Sequence, residues 1–196
     1  MTQLSDRNLM DAYVGGDTEA FAALVGRYGP SVLGYLTKMT QNTDHAEDLF
    51  QETFRRVHQN AAQFQGEHLK PWLFKIATHA AINRYRKEKH APTISLSQPA
   101  CIDGVHCAAL ENTLAANTLE PDRQMELDEQ RRMVRHTLMR LPEKQRAALV
   151  LSYYHKLPHS QIAETLDCSV GTVKTHLFRA LKTLRTLLPE PAGGNL

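Results

Sequence analysis

The chain has 196 residues with 23 basic and 21 acidic side chains, a net charge of +2; this length suits two small domains better than one, and so mild a charge does not by itself point to nucleic acid. Three cysteines, Cys101, Cys107 and Cys168, stand in no framework spacing, which argues against a disulfide-built secreted fold and for reduced thiols in a cytoplasmic protein. No run approaches the apolar length of a membrane span, and the opening MTQLSDRNLM lacks the charged-then-apolar pattern of an export signal.

From Thr18 to Met39 the apolar residues Phe21, Leu24, Val25, Tyr28, Val32, Leu33, Leu36 and Met39 recur at helical spacing, with Gly29-Pro30 marking a kink or a break. Asp44 with Glu47 three residues on resembles a capping box at the start of a second helix that reaches about Asn60. Within it Asp44, Asp48 and Glu52 fall at i, i+4 and i+8 with Glu47 and Gln51 beside them, a carboxylate stripe next to Leu49, Phe50 and Phe54. Such a stripe suits a basic protein partner and is repelled by DNA. The plainer alternative is a solvated acidic face.

Pro71 fits the first turn of a third helix, which runs through Trp72, Leu73, Ile76, Ala77 and Ala80 to the basic end Arg84-Tyr85-Arg86-Lys87. On a helical projection Trp72, Lys75, His79, Asn83, Arg86 and His90 share one stripe, while Leu73, Ala77, Ala80 and Ala81 lie on the adjoining face. Cations, one aromatic ring and amide or imidazole groups on one stripe are what unpaired bases require: phosphate neutralisation, a stacking surface and edge hydrogen bonds. Core packing explains Trp72 equally well when that residue is taken singly.

From 91 to about 125 the chain is rich in Pro, Ser, Thr and Asn without sustained periodicity, and reads as a flexible linker with a short helix near 108–118. The spacing of Cys101, His106 and Cys107 within it matches no common zinc pattern, so these residues are read as incidental and no metal is expected. A charged helix then precedes Leu141-Pro142-Glu143 and an apolar run from Lys144 to Tyr154. A short helix from about Ser160 to Leu166, a tight turn over Asp167–Gly171 and a last helix from Thr172 to Leu188 complete the pattern, with no strand signal anywhere.

In that last helix Val173, Leu177, Ala180, Leu181, Leu184, Leu187 and Leu188 fall within an arc of roughly 120°, so it packs along one side only. Its free face carries Thr172, Thr175, His176 and Arg179, flanked by Lys174 and Lys182, with Ser169 just ahead. Short helix, turn and cationic helix have the spacing of a helix-turn-helix, whose second helix meets base edges while flanking cations and amides hold phosphates.

Charge is distributed to match. Residues 1–66 carry 5 basic and 8 acidic side chains, 67–90 carry 6 and 2, 91–128 carry 1 and 6, and 129–188 carry 11 and 4. Two basic segments separated by acidic ones look like two DNA contacts on one chain, the acidic parts facing something other than phosphate.

Ile162-Ala163-Glu164, the run from Ser169 to Lys174, Leu177-Phe178-Arg179-Ala180 and Leu184-Arg185 make the segment Leu141–Leu187 resemble the C-terminal domain of extracytoplasmic-function sigma factors, which reads the −35 promoter element. The segment from Asp44 to Phe54 is similar to the one by which such factors grip the β′ clamp helices of RNA polymerase, and Lys70–Ala77 to the one that opens and reads the −10 element. The resemblance implies an all-α chain of two small helical domains joined by a flexible linker: a region 2-like domain over 1–90, the linker over 91–125, a region 4-like helix-turn-helix domain over 126–188, and a tail over 189–196.

It further implies −35 contacts from Ser169, Thr172, Lys174, Thr175, His176, Arg179 and Lys182, and −10 contacts from Lys70, Trp72, Lys75, His79, Asn83, Arg86 and Lys87. Asp44, Glu47, Asp48, Leu49, Gln51, Glu52 and Phe54 would bind core polymerase, with the β flap as a second docking point and an anti-sigma factor as a further partner. No catalytic residue, cofactor or small-molecule substrate is implied. His79 and Asn83 stand where the family usually has Asn and Asp, and Pro158, Asp167 and His176 where it usually has Ser, Gly and Arg.

Two rival readings are a stand-alone helix-turn-helix regulator, with residues 1–90 as a ligand or dimerisation domain, and a DNA recombinase. Against the first stand the acidic stripe and the Trp-containing basic helix together. Against the second, no nucleophile lies at a recognised spacing from an activating base.

Overall fold

A computed structural model of the chain describes residues 4–64, 66, 68–90, 129 and 132–188. The first half holds α1 (Asp6–Val14), α2 (Thr18–Thr40), α3 (Thr43–Asn60), a single 3-10 turn (Ala61–Gln63) and α4 (Leu69–His90). The second half holds α5 (132–139), α6 (Glu143–Tyr153), α7 (His159–Thr165) and α8 (Val170–Leu187). Among the described residues there is no strand, as the sequence pattern leads one to expect. The expected linker, its short helix, Cys101, His106, Cys107 and the tail all lie outside the described residues.

Local chemistry sets the helix starts. Ser5 accepts from the Asn8 N–H at 3.2 Å, Asp17 from Glu19 at 3.0 Å, Asn42 from His45 at 2.9 Å and Ser169 from Thr172 at 3.1 Å, each satisfying an amide that a helix N-terminus leaves bare. The cap of α3 is therefore Asn42, two residues ahead of the Asp44–Glu47 capping box expected from sequence. Similarly, α8 begins at Val170 rather than Thr172, because Ser169 is in extended backbone and closes the turn itself.

Gly29-Pro30 breaks nothing: α2 is one helix with Pro30 inside it. The missing proline N–H removes one rung of the ladder, and the packing of the flanking turns supplies the rest. Gly29, Val32, Tyr35, Leu36 and Met39 on one face are all buried.

An apolar cluster around Leu9, Met10, Leu24, Val57, Leu69 and Leu73 closes the end of the first half where α1 packs on α2. Leu138, Leu141, Leu149 and Ala180 form a smaller cluster inside the second half. In place of two fully separate cores, however, the largest cluster runs through both halves: Val32, Tyr35, Leu36, Phe74 and Ala77 join Ala147, Ala148, Val150, Leu151, Leu157, Ile162, Ala163 and Leu166. Helix α6 packs on α2, and α7 on α4.

Every residue from Arg146 to Leu151 is buried, since one side of α6 meets α8 and the other meets the first half. Phe74 stands edge-on to Tyr35 at 5.2 Å between centroids and lies 4.6 Å from the His155 ring of the second half. Each such side chain removed from water stabilises by about 1.5–3 kcal/mol, so this seam is an apolar contact and not a brush of two surfaces.

Some groups in the seam are poorly served. Arg146 is 1% exposed; its Nη1 donates to Met139 Sδ, its guanidinium lies 5.7 Å from the Tyr85 ring centroid, and its Nε has no partner. His155 Nε2 is likewise buried without a partner, and burial, aided by Lys70 and Lys38, pushes the His155 pKa down to about 4. Both costs follow from closing polar groups away from water.

Candidate nucleic-acid and polymerase surfaces

The helix-turn-helix consists of α7, the turn Leu166–Ser169 and α8. Asp167 takes a left-handed backbone, φ 49°, where the family usually places Gly; Asp tolerates that region, so the turn closes. Val173 and Ala180 are buried and Leu177 and Leu184 partly so, which fixes the rotation of α8 about its axis. The apolar arc expected from sequence is not used throughout, for Leu181 is 52% and Leu187 37% exposed.

That rotation leaves Ser169, Lys174, Thr175, Arg179 and Lys182 exposed and Thr172 and His176 half-buried. The Thr172 and Ser169 hydroxyls are 2.9 Å apart, and Thr175 Oγ1 donates to the Gly171 carbonyl at 3.0 Å, so three small polar groups are held at the first turn. Burial, then Lys144 and Arg179, lower the His176 pKa. The seven residues expected to meet a −35 element thus lie on the cap and the first thirteen residues of α8, with cations at the flanks.

On α4, Trp72 is half-buried with its ring 5.2 Å from Phe64. Asn83, Arg86 and Lys87 are exposed. The remaining three members of the expected −10 set are engaged by the second half. Lys70 Nζ donates to the His155 carbonyl at 3.1 Å, Lys75 Nζ to Asp167 at 2.5 Å, and His79 Nε2 lies 3.2 Å from the other Asp167 oxygen.

Between α3 and α4 a cleft of about 240 Å3 is lined by Arg56, Asn60, Gln63, Trp72, Ile76 and His79. Sequence reasoning found only Trp72 and His79 of these. Arg56, Asn60 and Gln63 come from the end of α3 and the 3-10 turn and Ile76 from α4, and the clue within the sequence was the amide-rich run Gln59-Asn60-Ala61-Ala62-Gln63.

The acidic side of α3 needs correcting. Leu49 and Phe54, expected to meet polymerase, are 5% and 8% exposed and belong to the core; they position the helix and offer no surface. Glu52 is held by Arg55 at 2.5 Å and Arg56 at 2.7 Å, which keep its carboxyl below the usual range, and Asp48 pairs with Arg84 at 3.2 Å. Asp44, Glu47, Asp48 and Gln51 are exposed. The stripe is thus partly neutralised at its C-terminal end and open at its N-terminal end, where the α3 macrodipole favours carboxylates.

Residues 24–91 match the family model "Sigma-70 region 2" and residues 131–184 the model "Sigma-70, region 4". The chain is 31% identical to the RNA polymerase sigma-H factor of Pseudomonas aeruginosa, over 97% of this chain and 99% of that one. It is 32% identical to the ECF RNA polymerase sigma factor SigW of Bacillus subtilis, over 89% and 92%.

Its fold is similar to that of the sigma factor RpoE from Bartonella quintana, solved in complex with the anti-sigma factor NepR, with a TM-score of 0.63 at 22% identity, covering 85% of this chain and 95% of that one. Among the described residues no helix is long and apolar enough to cross a membrane. With both family regions matched in order and relatives aligned along nearly the whole chain, it belongs to the extracytoplasmic-function branch of the sigma-70 family, the alternative sigma factors that direct RNA polymerase to promoters.

Proposed function

We propose that α4 reads the −10 element as unpaired bases and α8 reads the −35 element as duplex, while the open end of the α3 carboxylate stripe docks on the β′ clamp helices and the second half on the β flap. In this division residues 1–90 and 126–188 act as the two functional domains, and 91–125 as their connection. The observation that carries the reading is the cleft between α3 and α4. Its wall supplies the Trp72 π-face, the His79 edge, the Asn60 and Gln63 amides and the Arg56 cation, the set that stacks, hydrogen-bonds and neutralises an extruded nucleotide.

Arg179, Thr172, Thr175 and His176 serve base edges in the major groove, with Lys174, Lys182 and Ser169 toward phosphates; their common side of α8 and exposed cations support that assignment. The relative from Bartonella quintana, bound to an anti-sigma factor, supports a partner of that kind here. The chain is read as a non-catalytic initiation factor working in the cytoplasm, beside its polymerase.

The test is run-off transcription by core polymerase with the His79→Ala/Asn83→Ala variant, on duplex promoters and on promoters carrying an artificial bubble. Yield should fall on duplex, the bubble should restore opening, and discrimination among −10 sequences should stay impaired. Loss of polymerase binding equal to the loss of transcription would overturn the assignment.

A further inference from the structure

Helix α6 opens beside the reading face of α8. Leu141, two residues ahead of that helix, is buried in one cluster with Ala180, against which Leu177 and Leu184 also pack, so the start of α6 is anchored to the middle of α8. Further along, Ala147 and Ala148 share the larger cluster with Val173, and Cys168 and Leu177 pack against it. Lys144 lies between these two anchors and is exposed. Its charge reaches two groups of the helix-turn-helix: burial raises the Cys168 pKa and Lys144 opposes it, while at His176 burial lowers the pKa and Lys144 adds to the effect.

The fold gains little from a lysine at this place. Its first-turn position sets the ammonium against the positive end of the α6 macrodipole. Among the described residues Lys144 makes no ion pair, and neither does Arg179. Two unpaired cations from different helices therefore act on the same imidazole, whose Nδ1 is buried without a partner. Like charges gathered in this way repel one another until an anion joins them.

We propose that Lys144 is a further DNA contact of the second half, supplied from outside the helix-turn-helix: it holds a backbone phosphate beside the −35 duplex while α8 reads the bases. The inference rests on the reading of α8 as the −35 surface, and it adds a residue from a helix that contributes none of the seven expected contacts. A helix lying in the major groove has phosphates along both of its flanks, and α6 is packed against α8. An ammonium on a flexible stem suits such a phosphate, which it neutralises as a point charge without selecting a base.

The test uses holoenzyme assembled from core polymerase and the full chain, titrated onto a fluorescein-labelled duplex promoter over a series of salt concentrations and followed by anisotropy. Lys144→Ala should weaken binding by about three- to tenfold at low salt. Its slope of log affinity against log salt should be shallower by about 0.9, the value of one phosphate contact. Lys144→Arg should restore both, and the ranking of −35 sequences should be the same for wild type and Lys144→Ala. Methylphosphonate, which removes the charge of one phosphate at a time, should weaken wild type at a position beside the −35 element where Lys144→Ala loses nothing further.

Unchanged affinity and slope in Lys144→Ala would overturn the proposal. So would a loss at constant slope, or one that Lys144→Arg does not restore, since Lys144 would then serve the fold or the polymerase. Failure of the underlying reading shows in a different protein: Arg179→Ala holoenzyme that selects the same −35 sequences as wild type would remove α8 from base reading, whatever Lys144 does.

Discussion

Truncating Leu138 to alanine should change the unfolding of helices it never touches. Leu138 is 2% exposed and packs with Leu141, Leu149 and Ala180, all in the second half, whereas Trp72, the single tryptophan, reports from α4 in the first. A buried Leu→Ala change costs about 2–5 kcal/mol, the spread reflecting how far the cavity collapses. Because the largest cluster threads both halves through α6, that loss should be felt by one cooperative transition. With a urea dependence of about 2 kcal/mol per molar, the Trp72 fluorescence midpoint should fall by roughly 1–2.5 M and coincide with the midpoint from far-UV circular dichroism. A Trp72 midpoint that stays put while the dichroism curve splits in two would show that the halves unfold independently, and the shared core would be refuted.

Acid should loosen the same seam. The seam holds His155 neutral, with a pKa of about 4 against its ordinary 6.5, so its contribution is complete above pH 6.5 and declines as pH falls toward 4; His155→Phe should flatten that part of the urea-midpoint profile, and parallel profiles would count against this account. Ser169→Ala should cost about 1 kcal/mol by baring the Thr172 amide, with Ser169→Asp recovering most of it in the same urea titration. Arg179→Ala should alter which −35 sequences are selected from a promoter pool, whereas Lys174→Ala should weaken all of them nearly alike; identical selections would dissolve the distinction. Charge reversal at Asp44 and Glu47, the open end of the α3 stripe, should weaken co-purification with core polymerase at unchanged helicity, while Glu52→Lys should also destabilise the fold by facing Arg55 and Arg56 with a third cation.

Periodicity made most of the helices readable, because each buries one face in a way that repeats every three to four residues. Three things escaped it for definite reasons. The ion pair of Lys75 with Asp167 joins residues 92 apart, and nothing local in either segment demands the other. The depth of α6 was written in the run Arg146-Ala147-Ala148-Leu149-Val150-Leu151, apolar nearly all round, which is the mark of a helix covered on every side. A single charged residue in that run disguised it. On α3 the opposite error arose: Leu49 and Phe54 lie next to the carboxylates in sequence, but the helix turns them inward, so adjacency to a charged stripe did not mean exposure. The cleft residues Arg56, Asn60 and Gln63 were hidden because a concavity is made by the meeting of α3 with α4, and a one-dimensional pattern carries no such meeting.

Residues 91–125, the proposed connection, tie the two halves into one molecule, and this changes what their contact must achieve. Separate proteins at cellular dilution need tight binding to stay together, but a tether holds each half at an effective concentration that is roughly millimolar for its neighbour. A mutual affinity of only about 1 mM, some −4 kcal/mol, would then keep the chain closed half the time. A partner that gripped both halves with an affinity of about 1 nM, roughly −12 kcal/mol, would have several kcal/mol in hand to separate them. The seam can therefore be decisive for the solitary subunit and negligible in the assembled enzyme, without any signal to tell it which state it is in.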